Sequence, residues 1–445
     1  MQPVALREIF RFYLPLVLTS QMMTLSGPLI NVAVGRSAEP KLEFAGYWIG
    51  FSILMFVESP CFVVQQVAAT LLSGYRSYRR LLFGSLLLGV GATATTILFA
   101  VTPAGDPIFD YLIKTTARAE VLAREVLLLL SPTPIIISIR GVANAIALRE
   151  KRTGLIAQAT GARLFVLAGI VAVAVAVHTS SGALAGAAAL VSGLLTEMIL
   201  VLHRTKTFRR KMRIDRGGPE DQILPYGEIL RVAWPIAVSS YVWTSIRPVI
   251  NAILGRLPDP ELAQGGFGVV LPILLLSCSP LWALQNVTLI LPESRGDLRR
   301  ILRFSMWATV VFVVVVVGMT WTPLRWIILR SFFSLSDEME RAVIPALLLL
   351  VLEPLFLTTR STSQGLLIKA RRTSIFTSVS LSKIAVLAAT GFALVRAYPG
   401  LNGVFLGTAL FITGELIDGV FYSLKARSLV LGGVLFPALT GRERA

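Results

Sequence analysis

Ten ionisable residues stand inside long apolar stretches of this 445-residue chain: Glu58, Arg140, Arg163, Glu197, Arg247, Glu353, Arg360, Lys383, Glu415 and Asp418. A charge at membrane depth is costly and marks a partner or a task. Arg140 lies nine residues from Arg149, and Arg360 nine from Lys369. At ~1.5 Å rise per residue, each is about 13 Å from the basic end of its stretch. Arg247 is nine residues from Arg256, and Glu415 ten from Lys425, at similar depth. Guanidinium is permanently charged and binds carboxylate or phosphate through two parallel N–H donors. Arg140, Arg247 and Arg360 around one polar cavity would therefore suit an anionic substrate. The competing role is an ion pair with Glu58, Glu353 or Glu415 that holds helices together. Glu58, Glu197 and Glu415 are candidates for coupling to a proton or cation, since burial favours the neutral acid. Their other role is to neutralise a neighbouring arginine. Asn31, Asn251, Gln65 and Gln285 can line the same cavity, or hydrogen-bond helix to helix, as can Asn144 and Gln364.

The elements that hold these residues follow from composition. Hydrophobic residues make up 55% of the chain and charged ones 15%. Its mean hydropathy is +0.73. Soluble domains carry roughly 25% charged residues, so a water-soluble enzyme, a disordered chain and a disulfide scaffold are excluded. Twelve apolar stretches, each near the ~20 residues a span needs, run over 9–33, 44–71, 81–101, 123–147, 155–177, 182–202, 229–254, 263–291, 302–322, 342–367, 374–396 and 402–424. None shows the alternation of a β-barrel strand, so the fold class is all-α and integral to the membrane. The net charge of +17 comes from runs between the stretches, such as Arg76, Arg79 and Arg80, or Lys206, Arg209, Arg210 and Lys211. Such runs read as topology signals rather than a nucleic-acid surface. They place both termini in the cytoplasm of a plasma membrane, the inner membrane in a bacterium.

A constant shift, which sets Glu8 on Glu228, relates the two halves. "EIFRFYLPLVLTSQMMTLSGPLINVAVGR" from Glu8 lies above "EILRVAWPIAVSSYVWTSIRPVINAILGR" from Glu228, and 8–85 matches 228–305 at 25 of 78 positions. Biased composition alone would give on the order of a tenth. Gly35-Arg36 falls on Gly255-Arg256, Ser59-Pro60 on Ser279-Pro280, and Arg140 on Arg360, whereas Arg247 meets Gly27. That asymmetry favours a ligand role for Arg247. The expected architecture is a six-helix lobe at 1–202, a basic linker at 203–228, a second lobe at 229–424 and a tail at 425–445. Parallel repeats of this kind place the substrate between the lobes. Pro60, Pro132, Pro134, Pro280 and Pro354 fall inside spans and should kink them, as a hinge for alternating access or as a packing bend.

Cys61 and Cys278 lie in apolar stretches, and His178 and His203 are far apart, so neither a disulfide nor a metal site is expected. No P-loop, nucleophile elbow or paired metal ligands occur, so we expect neither an enzyme nor a cofactor. The segments "RFYLPLVLT" at 11–19, "SIRPVINAILGR" at 245–256 and "TRSTSQGLLIKARRT" at 359–373 resemble the progressive ankylosis protein family. That family lies within the multidrug/oligosaccharidyl-lipid/polysaccharide exporter superfamily, which includes MATE transporters. The resemblance implies a MATE-like fold and export of anions such as pyrophosphate, nucleotide or citrate. It departs from cation-coupled drug exporters because 9–33 holds no acidic residue. The expectation is therefore a monomeric exporter of a small anion, with the bilayer as a partner, and a coupling cation where transport is ion-driven. The alternatives are a flippase for an anionic lipid-linked saccharide and a cation-coupled drug exporter.

Overall fold

Apolar stretches of this length leave the backbone only the helix to satisfy itself in lipid. The computed structural model describes residues 5–432 and 435, apart from 151, 216–220, 222–223, 371 and 373. Among the described residues there is no strand. Twelve long segments follow in chain order: α1 Leu6–Gly35, α2 Pro40–Val57 continued by Ser59–Leu71, α3 Tyr75–Val101, α4 Ala117–Arg149, α5 Gly154–Ala176, α6 Gly182–Arg204, α7 Tyr226–Leu254, α8 Pro260–Ile290, α9 Arg295–Thr320, α10 Asp337–Lys369, α11 Ser374–Ala397 and α12 Gly403–Leu431. Ten are long and apolar enough to cross a membrane, and the α2 pair makes an eleventh. The twelfth, α7, has 29 residues but carries Ser240, Thr244, Ser245, Arg247 and Asn251, which lower its hydropathy.

The segments outrun the apolar stretches, because a helix continues into its polar flanks. Thus α6 reaches Arg204 and α12 reaches Leu431. A short helix, Lys206–Ile214, starts the linker. The linker residues 217–219 and the tail beyond 435 lie outside the described residues.

Proline breaks four spans at matched places. A proline lacks the N–H that the preceding turn needs, so the ladder restarts there. In α2 the chain bends by 42° at Glu58, with Pro60 opening the second half. In α8 the matching Pro280 sits in a 3-10 turn, Ser279–Ala283. The α4 helix restarts at Thr133 after Pro132, and α10 restarts at Glu353, followed by Pro354.

Segments α1–α6 and α7–α12 form two lobes that meet along α1, α2, α7 and α8. The basic loops all lie on one side. On the opposite side, hereafter the far face, a single apolar core runs through both lobes, including Ile30, Phe44, Ile49, Ile250, Phe267 and Val343. Towards the basic side the core divides. One cluster, around Val63, Tyr78 and Ile146, also takes the base of α7; a separate one gathers Leu298, Leu367 and Tyr422. The lobes are thus joined through one core at the far face, and towards the basic face through the bases of α7, packed on the first lobe, and α1, where Tyr13 meets Phe304 and Pro280 of the second. The lipid-facing helices are α3 and α9, where Leu87 and Val90, and Met306, Trp307 and Val310, are at least half exposed.

Candidate functional site

Arg247 sits on α7 beside Pro248, half-buried at the lobe boundary. Its guanidinium lies 5.9 Å from the Phe51 ring of α2 and 5.8 Å from the Trp243 ring of its own helix. Among the described residues it has neither an ion pair nor a hydrogen bond. Aromatic faces stabilise a guanidinium modestly and leave its N–H edge free for an anion. The missing counterpart has a packing cause. A Cβ at Gly27 would stand 2.9 Å from Pro272 Cβ and 3.6 Å from the Trp48 ring, so no side chain fits there. One step along α7, Asn251 Nδ2 donates to Ser52 Oγ across the lobe boundary at 3.0 Å.

Arg140 and Arg360 do not share that setting. Each turns into its own lobe. Arg140 Nη1 donates to Glu197 Oε2 at 2.5 Å, and Arg163 Nη1 reaches the same oxygen at 3.2 Å. Thr160 Oγ1 completes Glu197 through Oε1 at 3.0 Å. In the second lobe Arg360 Nη1 donates to both oxygens of Glu415, at 2.7 and 2.6 Å. Its Nε is 3.6 Å from Asp418 Oδ2, which Lys383 Nζ holds at 2.6 Å. The expectation that these two arginines face a cavity bare is therefore corrected. At this depth a carboxylate in reach lowers the energy of an unpaired guanidinium far more than a rotamer change costs.

The two networks are pseudo-equivalent. In the repeat Arg163 falls on Lys383, and Glu197 falls one position before Asp418. The hairpins α5–α6 and α11–α12 thus carry a cation and an anion at matched heights. That spacing, 34 residues in one half and 35 in the other, is the sequence signal that could have found both networks.

Besides Glu43, which accepts from Ser181 Oγ and Ala183 N, the buried carboxyls Glu58 and Glu353 make no ion pair among the described residues. Glu58, 3% exposed, accepts a hydrogen bond from Thr133 Oγ1 at 2.8 Å. Glu353, 1% exposed, has one oxygen without a partner. They occupy one pseudo-symmetric locus, since Thr133 falls on Glu353 in the repeat and Glu58 falls on Cys278. Each lobe places a single carboxyl there, from α2 in one and α10 in the other. Both stand at the start of a restarted helix, where free N–H groups favour an acid.

The amides divide. Asn31 Oδ1 accepts from Trp48 Nε1 at 3.0 Å, and its Nδ2 has no partner. Gln65 Oε1 accepts from Asn144 Nδ2 at 3.1 Å, joining α2 to α4. Gln285 is half-buried on α8. Outside the crossing segments, Arg330 forks onto Glu340 at 2.6 and 3.0 Å, and the carboxylate pushes the guanidinium pKa up. Among the described residues no group of His, Cys, Asp and Glu could hold a metal ion.

The fold is shared with solved transporters. An inward-facing multidrug resistance MATE transporter of the MOP superfamily matches with a TM-score of 0.69 at 16% identity, over 94% of this chain and 96% of that one. An outward-facing MATE structure gives 0.61 at 18%, over 95% of each chain. A MOP superfamily transporter from Pyrococcus furiosus, described as having a binding pocket of reversed polarity, gives 0.62 at 18%, over 96% of each. No curated protein matches the chain in sequence. The family model for the progressive ankylosis protein (ANKH) matches residues 4–257. With more than half its length matched, and two six-helix lobes around a shared boundary, the chain belongs to the progressive ankylosis protein family, is built of helices long and apolar enough to cross a membrane many times, and has the fold of the MATE structures.

Proposed function

We propose that this transporter exports a small anion bearing phosphate or carboxylate groups, and that Arg247 is its principal ligand. The observation that carries this reading is the contrast among the buried arginines. Arg140, Arg163 and Arg360 each meet a carboxylate, while Arg247 meets only the rings of Phe51 and Trp243. A permanent charge left unpaired at a lobe boundary calls for a counter-charge that arrives and leaves. Asn31, proposed from the sequence as a further ligand, is fully buried, with its Nδ2 unpartnered. Asn251, Gln65 and Gln285 remain on the helices nearest the boundary, two of them engaged with other side chains. Arg140 and Arg360 contribute by stiffening their lobes.

The positive-inside rule supports a cytoplasmic position for the basic loops, and an exporter takes up its cargo from that side. Rocking of the lobes then exposes Arg247 to the far face, where dilution releases the anion. Glu58 is the coupling candidate that makes no ion pair, whereas Glu197 and Glu415 are engaged by arginines.

The test is efflux of labelled pyrophosphate, nucleotide and citrate from proteoliposomes. Arg247→Ala should lower the initial rate about tenfold or more for the transported anion. Arg247→Lys, which keeps the charge but loses the fork, should fall between. Wild-type rates in the alanine variant would overturn the assignment.

A further inference from the structure

The repeated Gly-Arg pairs at the ends of α1 and α7 reach across the lobe boundary on the far face. Arg36 Nη1 donates to Phe332 O at 2.8 Å, and its Nη2 to Ser331 O at 3.0 Å. Arg256 Nη1 donates to Leu112 O at 2.9 Å, and its Nη2 to Tyr111 O at 3.0 Å. Every donor and acceptor in one set falls on its counterpart in the other under the repeat: Arg36 on Arg256, Tyr111 on Ser331 and Leu112 on Phe332. The adjoining glycines make the approach possible. A Cβ at Gly35 would stand 1.6 Å from Phe333 O, and one at Gly255 would stand 1.7 Å from Ile113 O. The gripped loops are shaped alike: π-helical turns, Pro107–Ile113 and Ile327–Phe332, are followed by Lys114 and Ser334 at φ of 55° and 54°. A left-handed, non-glycine residue costs energy, and it recurs here at matched positions.

We propose that Gly35-Arg36 and Gly255-Arg256 are twin latches of the outer gate, each lobe gripping the other's far-face loop by its backbone carbonyls, and that both release when the transporter opens outward. The acceptors are backbone carbonyls and the donors guanidiniums. Both arginines are exposed, and an open cavity lined by Arg36, Ser37, His178, Ser334 and Ser336 reaches the first latch. Water can therefore replace each carbonyl as it leaves. That keeps every bond modest, as a gate opened once per cycle requires. Lys41 adds a cross-lobe pair with Asp259 at 2.5 Å that lacks a symmetric copy. The proposal rests on the transporter fold and is independent of which cargo Arg247 binds.

The test is a distance measurement between spin labels at exposed far-face sites, Ser180→Cys in the first lobe and Tyr398→Cys in the second. The native Cys61 and Cys278 are each 1% exposed, and serine can replace them. Wild type should show one dominant short distance. The Arg36→Gln/Arg256→Gln variant should raise the long-distance population about tenfold, and the double lysine variant by less. Gly35→Ala should move the distribution the same way by steric means. An unchanged distribution in the double glutamine variant, whether or not Gly35→Ala shifts it, would overturn the latch.

Discussion

At the residue scale, the arginines that meet a carboxylate differ from Arg247, which meets none among the described residues. Glu197 receives two guanidiniums and a hydroxyl at 3% exposure. Replacing it with glutamine leaves Arg140 and Arg163 buried without a counter-charge. Breaking a buried pair from one side costs about 3–5 kcal/mol. We expect Glu197→Gln to lower the thermal midpoint markedly in detergent, measured by fluorescence-detected size exclusion. Arg247→Ala removes no ion pair, so its midpoint should stay near wild type while transport falls. Equal destabilisation by the two substitutions would mean that Arg247 is also structural. Substituting the exposed arginines of the latches should likewise leave the midpoint near wild type, while shifting the conformational distribution.

At the element scale, proline positions and small residues decide the geometry. The breaks at Glu58, Ser279, Thr133 and Glu353 split four helices into halves. The prolines that cause them are plain in sequence. Their consequences are not, because a missing N–H can yield a 42° bend in α2 or a 3-10 turn in α8. Neighbours make the choice. Close contacts fix the halves against each other, as where α10 crosses α8 at Gly365. A Cβ there would lie 2.0 Å from Thr288 Oγ1 and 2.3 Å from Gln285 O. Thr288 is on the packed face and the carbonyl cannot yield. Overpacking of this kind costs about 1–3 kcal/mol, so Gly365→Ala should lower the midpoint, whereas Gly84→Ala, with open space at its Cβ, should not.

For the whole molecule, the apolar core and the far-face contacts tie the two lobes together. One cluster spans both lobes at the far face, and separate clusters lie towards the basic face. The proposed orientation in the bilayer rests on the positive-inside rule. Reporter fusions should show the 178–181 loop outside and the Lys206–Ile214 helix inside. The reverse pattern would turn the proposed exporter into an importer, with the twin latches facing the cytoplasm.

Twelve apolar stretches, a repeat of one half in the other and the proline breaks were all legible in the sequence, because lipid leaves a backbone few options and duplication leaves matched letters. The special standing of Arg247 was visible too, as an arginine opposite a glycine. Which arginines are neutralised was decided only in three dimensions. Glu197 is 57 residues from Arg140, and Glu415 is 55 from Arg360, and no helical period links such distances. The latches show the same limit from the other side. Gly-Arg stood out as a repeated pair, yet its partners are backbone carbonyls some 144 and 296 residues away. Every residue offers a carbonyl, so only the packed lobes select which ones meet the guanidinium.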